Sequence, residues 1–207
     1  MSKYLITVNR KRGSGGSDIA KLLADRLGIK YYDKELISLA AKESGYAESL
    51  FESADEKPSN SLLYSIAMGT YSPQTWFLNT EEPFTNDRLF SIQAEVIRKI
   101  AAEPCIIVGR CADFILRDDP DVTSVYTYAS FEYRKRSVLG ANKALSEKEA
   151  ESYLKKMDKS RSNYYNYYTN RVWDNPCNYH AAINTEFYSR EDAATLIETA
   201  VRLKKKA

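Results

Sequence analysis

A short apolar run, a glycine-rich loop and a helical repeat follow one another at the start of this 207-residue chain. Residues 4–8 are typical of a buried strand, and the apolar spacing over 19–27 is typical of a helix. The loop between them contains Gly13, Ser14, Gly15, Gly16 and Ser17. The first turn of a helix leaves N–H groups unpaired at the positive end of its dipole, so this order of elements predicts a phosphate site. A tight turn without a ligand is the alternative.

The loop departs from the full phosphate-loop pattern G-x-x-x-x-G-K-[ST] at two positions. Gly15 and Ser17 match the pattern. Arg10 stands where the first glycine belongs, and Gly16 stands where the lysine belongs. That lysine normally reaches the β- and γ-phosphates, so its charge is missing here. Residues 10–12 are all basic, and they either supply the missing charge or form a solvated basic turn.

Strand patterns and helix patterns alternate along the chain. We expect strands at residues 4–8, 29–33, 105–109, 122–129 and 181–184, and later helices at 34–42, 88–102, 131–139, 146–168 and 189–205. The run 105–109 is apolar throughout, as in parallel strands that helices cover on both faces. The alternation predicts an α/β fold with a doubly wound parallel sheet of about five strands.

Residues 53–86 do not fit this alternation. They begin with a polar, turn-rich stretch, continue with a short apolar helix and end in a segment that contains two prolines. We expect a mobile insertion here, on a single domain that spans residues 1–207.

Composition and charge argue against several classes of protein. The net charge of +2 is the small difference between 30 basic and 28 acidic residues, and it gives no sign of nucleic-acid binding. Three cysteines without a C-x-x-C pair favour reduced thiols and a cytoplasmic location, and one histidine excludes a histidine-rich metal site. We expect no signal peptide and no membrane-spanning run.

Two groups of side chains have alternative interpretations. Residues 164, 165, 167 and 168 are all tyrosines, which either stack on a base or pack their helix against the core. Basic residues lie among them, but no RNA-binding motif accompanies them, so we do not expect a nucleic-acid partner. Arg134 and Arg136 are two residues apart on a helix and therefore point to different faces, so that one of them is a candidate to reach the phosphates, with Arg136 expected on the solvated face.

Five short motifs occur in order along the chain. They are Gly13-Ser14-Gly15-Gly16 with Ile19-Ala20, Tyr31-Tyr32-Asp33-Lys34-Glu35-Leu36-Ile37, Ile107-Val108-Gly109-Arg110-Cys111-Ala112-Asp113, Ser146-Glu147-Lys148-Glu149-Ala150, and Asp158-Lys159-Ser160-Arg161 with the tyrosines that follow. Together they resemble the cytidylate kinase-like family of P-loop nucleotide kinases, least clearly over residues 50–86. The resemblance implies a P-loop kinase-type fold with a helical insertion beside the acceptor site, over 53–86, and a helical lid over 141–172.

The resemblance also implies ligands and roles. ATP would be the phosphate donor with Mg²⁺, and a nucleoside monophosphate such as CMP would receive the γ-phosphate. Donor contacts are implied for Gly13, Ser14, Gly15, Gly16, Ser17, Arg12, Asn184 and Thr185, and Ser17 would also bind Mg²⁺. Acceptor contacts are implied for Arg110 and Lys34, and catalytic roles for Asp33, Asp158 and Arg161.

The chain departs from that family at positions that bear on activity. Cytidylate kinases carry a lysine at the position of Gly16, an aspartate at that of Cys111 and an arginine within the segment aligned with 33–39. Two further hypotheses therefore stand beside the first. The missing lysine favours a catalytically silent nucleotide-binding module. The insertion that would shape the acceptor site is the least readable part of the sequence, which leaves a P-loop kinase for a small non-nucleotide acceptor as the third hypothesis.

Overall fold

A computed structural model of the chain describes residues 4–45, 48–49 and 86–204. The strands within these residues are β1 (Leu5–Arg10), β2 (Lys30–Tyr32), β3 (Cys105–Val108), β4 (Val122–Tyr128) and β5 (Ala181–Asn184). They form one parallel sheet in the order β2-β3-β1-β4-β5. The predicted α/β fold with a parallel sheet of five strands is confirmed.

Helices connect these strands in the predicted order. They are α1 (Gly16–Leu27), α2 (Glu35–Ser44), α3 (Asn86–Ile100), α4 (Ala112–Ile115), α5 (Phe131–Ala141), α6 (Glu147–Thr169) and α7 (Arg190–Leu203). The single turn α4 escapes the sequence prediction, because four residues carry too little periodicity to be recognised. Ser146 and Glu149 form the predicted capping box at the start of α6.

Helices cover the sheet on both faces, and β1 is buried along its whole length. Helices α1 and α7 pack on one face, where Ile19 and Ile197 join Ile6 and Val8 in one apolar cluster. Helices α2, α3, α4 and the second half of α6 pack on the other face around Leu5 and Ile107. The continuous apolar character of the central strands therefore reflects burial on both sides, as the sequence predicts.

The first half of α6 belongs to a smaller apolar cluster of its own. Val138 of α5 packs there with Ala150 and Leu154 of α6, and Phe131 and Tyr153 cover them. Helices α5 and α6 thus form a hairpin that straddles two cores: its outer part has separate packing, and its inner end joins the main core.

The tyrosines of α6 attach its second half to the main core. The Tyr168 ring stacks on Phe90 of α3 with centroids 3.9 Å apart. The Tyr165 hydroxyl donates a 2.7 Å hydrogen bond to Oδ2 of the buried Asp113, whose Oδ1 accepts a 2.7 Å bond from Nδ2 of Asn9. Tyr165 and Tyr168 therefore pack α6 against the main core.

The parallel register brings the carboxyl ends of β1, β2 and β3 together. Val8 pairs with Val108, and Tyr32 pairs with Ile107. The segments that follow these strands therefore lie at one edge of the sheet, which is where ligands bind in open α/β folds.

Of the insertion and the lid predicted from the sequence, only the lid lies wholly within the described residues. The insertion predicted over 53–86 lies outside the described residues, apart from Asn86 at the start of α3. The lid segment, residues 141–172, contains the whole of α6. Among the helices of the described ranges, none has the length and apolar character that crossing a bilayer requires.

Replacing Tyr165 by Phe should destabilise the protein by about 1–3 kcal/mol, because a buried carboxylate loses a hydrogen-bond donor. Tyr167→Phe is the matched control, since Tyr167 is 47% exposed and the same change should cost less than about 0.5 kcal/mol. Urea denaturation at neutral pH measures both free energies of unfolding. Equal effects of the two variants would show that the contact with Asp113 contributes nothing.

The stability that Tyr165→Phe loses should depend on pH, and the pKa of Asp113 gives the direction of that dependence. Burial raises the pKa of Asp113 in the folded protein, so its ionisation costs stability as pH rises through the folded pKa. The Tyr165 hydroxyl lowers this pKa, and its loss raises the pKa further. The loss of unfolding free energy in Tyr165→Phe should therefore be largest when Asp113 is ionised. It should become smaller as the pH falls and the Asp113 carboxyl is protonated.

Candidate functional site

The glycine loop adopts the geometry of an anion-binding turn. Gly13 and Gly15 have φ values of 81° and 78°, which favour glycine, and α1 begins directly at Gly16. Within the described part of the chain, the amides of residues 13, 15, 16 and 17 donate no hydrogen bond to the protein. A Cβ placed on Gly15 would meet no atom within 4 Å, so the approach to these amides is open. The loop therefore offers a set of donors at the positive end of α1.

Gly16 lies too close to β4 to carry a side chain. A Cβ at this position would be 2.1 Å from Oγ1 of Thr127 and 2.8 Å from Cβ of Arg10. Thr127 is completely buried, so it has little room to move away. A lysine at position 16 therefore has no place for its stem in this fold, which explains the glycine at that position physically.

Asp33 follows β2, and three side chains surround it. The guanidinium of Arg110 donates to the main-chain oxygen of Asp33 at 2.6 Å and lies 3.4 Å from its Oδ1. Nη2 of Arg10 is 3.6 Å from the same carboxylate oxygen. The Tyr31 hydroxyl is 3.2 Å from Oδ2 and 3.4 Å from the main-chain oxygen of Ser17. Asp33 and Arg110 thus lie together beside the loop, as expected for residues that follow β2 and β3.

Arg110 lies in a strained stretch of backbone beside this cluster. Gly109, Arg110 and Cys111 follow one another with φ values of 74°, 52° and 55°. A left-handed conformation costs a residue other than glycine about 1–2 kcal/mol. Strain of this kind persists where the surrounding structure enforces it, and it concentrates at functional sites.

Asp158 and Arg134 hold the backbone of the loop from the side of α6. Oδ1 of Asp158 accepts a 3.1 Å hydrogen bond from the amide of Arg12. Its Oδ2 accepts a 2.7 Å bond from Arg134, whose buried guanidinium also donates to the main-chain oxygen of Arg12 at 3.1 Å. Arg161 is buried as well and donates to the main-chain oxygen of Arg10 at 3.1 Å. The two residues predicted on the lid segment therefore reach the loop, but through its backbone.

The sequence indicated only that one of Arg134 and Arg136 is a candidate for the phosphate site, and it did not predict the contact of Arg134 with Asp158. The expected difference between the faces of Arg134 and Arg136 is correct: Arg136 is exposed, and Arg134 is buried. Ser130 caps α5, and Arg134 lies one helical turn later. The spacing of Ser130 and Arg134 can be predicted from the sequence, but the nearness of α5 to the loop depends on tertiary packing.

The remaining predicted residues take different positions. The Thr185 hydroxyl donates to the main-chain oxygens of Ser14 at 2.7 Å and Tyr128 at 3.0 Å. Asn184 Oδ1 accepts from the amide of Glu186 and so shapes the turn after β5. The Arg12 guanidinium lies 5.3 Å from the centre of the Tyr153 ring, toward α6. Lys34 is exposed at the start of α2.

A small cavity lies beside the loop, where β1 and β3 end. It is lined by Asn9, Arg110, Cys111, Arg161, Tyr164, Tyr165 and Trp173. Two buried guanidinium groups therefore border one polar and aromatic space, which in this structure has the size of a single water molecule.

The oxygens available for a metal ion are few. Among the described residues, no group of three or more His, Cys, Asp or Glu side chains could hold a metal ion. The Ser17 hydroxyl donates no hydrogen bond within the described chain, and Tyr31 bridges the Ser17 carbonyl to Asp33. This donor set fits Mg²⁺, which commonly takes one or two protein oxygens together with substrate phosphates.

A parallel sheet in this strand order, with a glycine loop between β1 and α1, places the protein in the class of P-loop kinase folds. Within that class the chain belongs to the cytidylate kinase-like family, whose model matches residues 5–187. This family is one of nucleotide-binding phosphotransferases, and the resemblance predicted from the sequence motifs is confirmed.

Solved structures agree with this fold. An uncharacterized protein from Eubacterium ventriosum is 25% identical, with a TM-score of 0.69 over 98% of this chain and 100% of the other. A gluconokinase from Sinorhizobium meliloti is 12% identical, with a TM-score of 0.54 over 97% and 93% of the two chains. A shikimate kinase from Acinetobacter baumannii in complex with shikimate is 14% identical, with a TM-score of 0.51 over 98% and 97%. The two kinases share the fold alone. A search of curated protein sequences found no match.

Replacing Gly16 by Ala should destabilise the protein by about 1–3 kcal/mol, since the new methyl group overlaps Thr127. Gly140→Ala, also within a helix, should instead be neutral or stabilising by up to about 1 kcal/mol, because a Cβ there meets nothing within 4 Å. Thermal or urea unfolding of both variants tests this contrast in sign. A stabilising Gly16→Ala would contradict the close packing of the loop on β4.

Proposed function

We propose that this protein is a phosphotransferase that moves the γ-phosphate of ATP to a nucleoside monophosphate such as CMP. The observation that carries the proposal is the set of loop amides at residues 13 and 15–17, which make no hydrogen bond within the described chain at the N-terminus of α1. Membership of the cytidylate kinase-like family supports the same class of reaction.

The donor side consists of the loop and its hydroxyl groups. The amides of residues 13 and 15–17 hold the donor phosphates, and the Ser17 hydroxyl is the protein oxygen offered to Mg²⁺. When bound, the ion offsets negative charge on the phosphate oxygens. Asn184 and Thr185 support the nucleotide side of the loop, since Thr185 holds the Ser14 carbonyl in place.

Charge around the loop favours an anionic ligand. The guanidinium groups of Arg10, Arg110, Arg134 and Arg161 are buried there, and the carboxylates of Asp33 and Asp158 face them. Guanidinium groups held in place by carboxylates present their N–H donors in a fixed fork, which suits phosphate oxygens.

The acceptor side lies around Asp33 and Arg110. Arg110 holds an anionic group of the acceptor, and Asp33 orients the attacking oxygen. Lys34 begins α2 at the same edge and adds a mobile positive charge.

Arg161 serves the transferring phosphate. Its guanidinium lines the same cavity as that of Arg110 and lies next to β1, where the loop begins. Asp158 positions the loop by accepting the Arg12 amide. The lid segment closes over both substrates and excludes water, as transfer to an acceptor rather than to water requires.

Two other functions have observations in their favour. The absence of room for a lysine at position 16 favours a nucleotide-binding module without catalytic activity. A gluconokinase and a shikimate kinase share the fold, which favours a small non-nucleotide acceptor.

One coupled assay separates these functions. ATP and Mg²⁺ are supplied with CMP, dCMP, UMP, AMP, gluconate or shikimate, and formation of ADP is followed while ATP binding is measured in parallel. Turnover with a nucleoside monophosphate supports the main proposal, and turnover with an organic acid alone supports the third function. Binding of ATP without turnover on any acceptor indicates the silent module.

In an active enzyme, Arg161→Ala should lower kcat by roughly a thousandfold, the effect typical of an arginine that stabilises charge in phosphoryl transfer. The Kd for ATP should change much less, because the contact strengthens only in the transition state. Arg202→Ala is the control, since Arg202 is exposed near the end of α7. An unchanged kcat in a folded Arg161→Ala variant would remove this residue from the mechanism.

A further inference from the structure

We propose that Arg10 takes over the task of the missing P-loop lysine and contacts the donor's β- and γ-phosphates from β1 rather than from α1. The proposal rests on the function proposed above, since it concerns the donor side of the same site. Three observations carry it: the packing around Gly16, the direction of the Arg10 side chain, and the different positions of the two basic residues beside it.

Around Gly16, the side chain of Arg10 fills the space that the side chain of a lysine at position 16 would need. A Cβ at position 16 would lie 2.8 Å from the Cβ of Arg10, so the stem of Arg10 occupies space that a lysine stem would enter. Arg10 is also the residue that stands in place of the first glycine of the phosphate-loop pattern. The two departures from the pattern are therefore in contact in the structure and compensate each other in volume.

The Arg10 side chain runs along the first turn of α1. Its stem lies against Gly16, and its Nη2 ends 3.6 Å from Oδ1 of Asp33. The other oxygen of Asp33 is bound by Tyr31, whose hydroxyl also contacts the Ser17 carbonyl. The Arg10 side chain therefore extends from the start of α1 to Asp33.

Neighbouring basic residues point elsewhere. Nζ of Lys11 is 3.4 Å from Oδ2 of Asp174 at the surface. The Arg12 guanidinium covers the ring of Tyr153. Of the three basic residues before the glycines, Arg10 is thus the one that the fold buries against the start of α1.

The surroundings of Arg10 keep it rigid and charged. It is the last residue of β1 and pairs with Thr127 of β4, and its main-chain oxygen accepts a bond from Arg161. Asp33 balances part of its charge. A guanidinium presents its donors in a fixed fork that matches two phosphate oxygens at once. A strand position so constrained places this fork with little loss of side-chain freedom on binding.

The test compares Arg10→Met with Lys11→Met, which removes the same charge from the adjacent residue. Titration calorimetry with Mg²⁺ measures the Kd values for ATP, ADP and AMP. We expect Arg10→Met to weaken ATP and ADP binding by about ten- to a hundredfold, the effect of one charge-assisted hydrogen bond, and to leave AMP almost unchanged. Lys11→Met should change all three by less than about threefold.

A second variant separates phosphate contact from a purely structural role. Arg10→Met/Asp33→Asn removes the positive charge of Arg10 together with the negative charge of the Asp33 carboxylate that it faces. If Arg10 only neutralised Asp33, the double variant would regain wild-type discrimination between ATP and AMP, and the proposal would be wrong. Continued loss of this discrimination supports phosphate contact.

The possible failures are distinct. Wild-type affinity for ATP in a folded Arg10→Met protein overturns the role of Arg10 and leaves the proposed function standing. A wild-type protein that binds none of the three nucleotides overturns both.

Discussion

Contact between Gly16 and β4 governs the geometry of the whole phosphate edge. Because the first residue of α1 lies against the buried side chain of Thr127, the helix starts as near to the sheet as a backbone can. Oγ of Ser14 lies 3.3 Å from Oγ1 of the same threonine, which ties the loop to the strand from its other end. The helix consequently cannot contribute a side chain at this point, and positive charge has to come from the strand and from α5 and α6.

Side chains from three further elements fix the loop backbone from different directions. Arg161 of α6 binds the carbonyl of residue 10, and Arg134 of α5 binds that of residue 12. Thr185, which follows β5, binds the carbonyl of residue 14. These contacts satisfy the polar groups that face inward and leave the amides of the glycine turn for a ligand. A site whose donors are held in place before the ligand arrives loses little free energy to reorganisation.

The fold was largely predictable from the sequence, because strands buried on both faces and helices with one apolar face leave different periodicities. The positions of Asp33 and Arg110 followed from the same logic, since both come directly after strands of one parallel sheet. The Arg134–Asp158 pair was not predictable, because it joins two helices across a turn. The direction of the Arg10 side chain depends on a contact between residues six apart in sequence, which no periodicity records. The aromatic character of α6 left two interpretations open, and only the positions of Phe90 and Asp113 decided between them.

The division of α6 between two apolar clusters has a mechanical consequence. The outer part of the α5–α6 hairpin carries its own packing, whereas the inner end is fastened to the main core. The boundary falls near Asp158 and Arg161, the residues that grip the loop. A tilt of the hairpin would preserve its internal apolar contacts and strain chiefly these polar ones, so the loop and the hairpin form a linked pair. Linkage is reciprocal: if a ligand on the loop favours one position of the hairpin by a given factor, a restraint that holds the hairpin in that position raises the affinity for the ligand by up to the same factor.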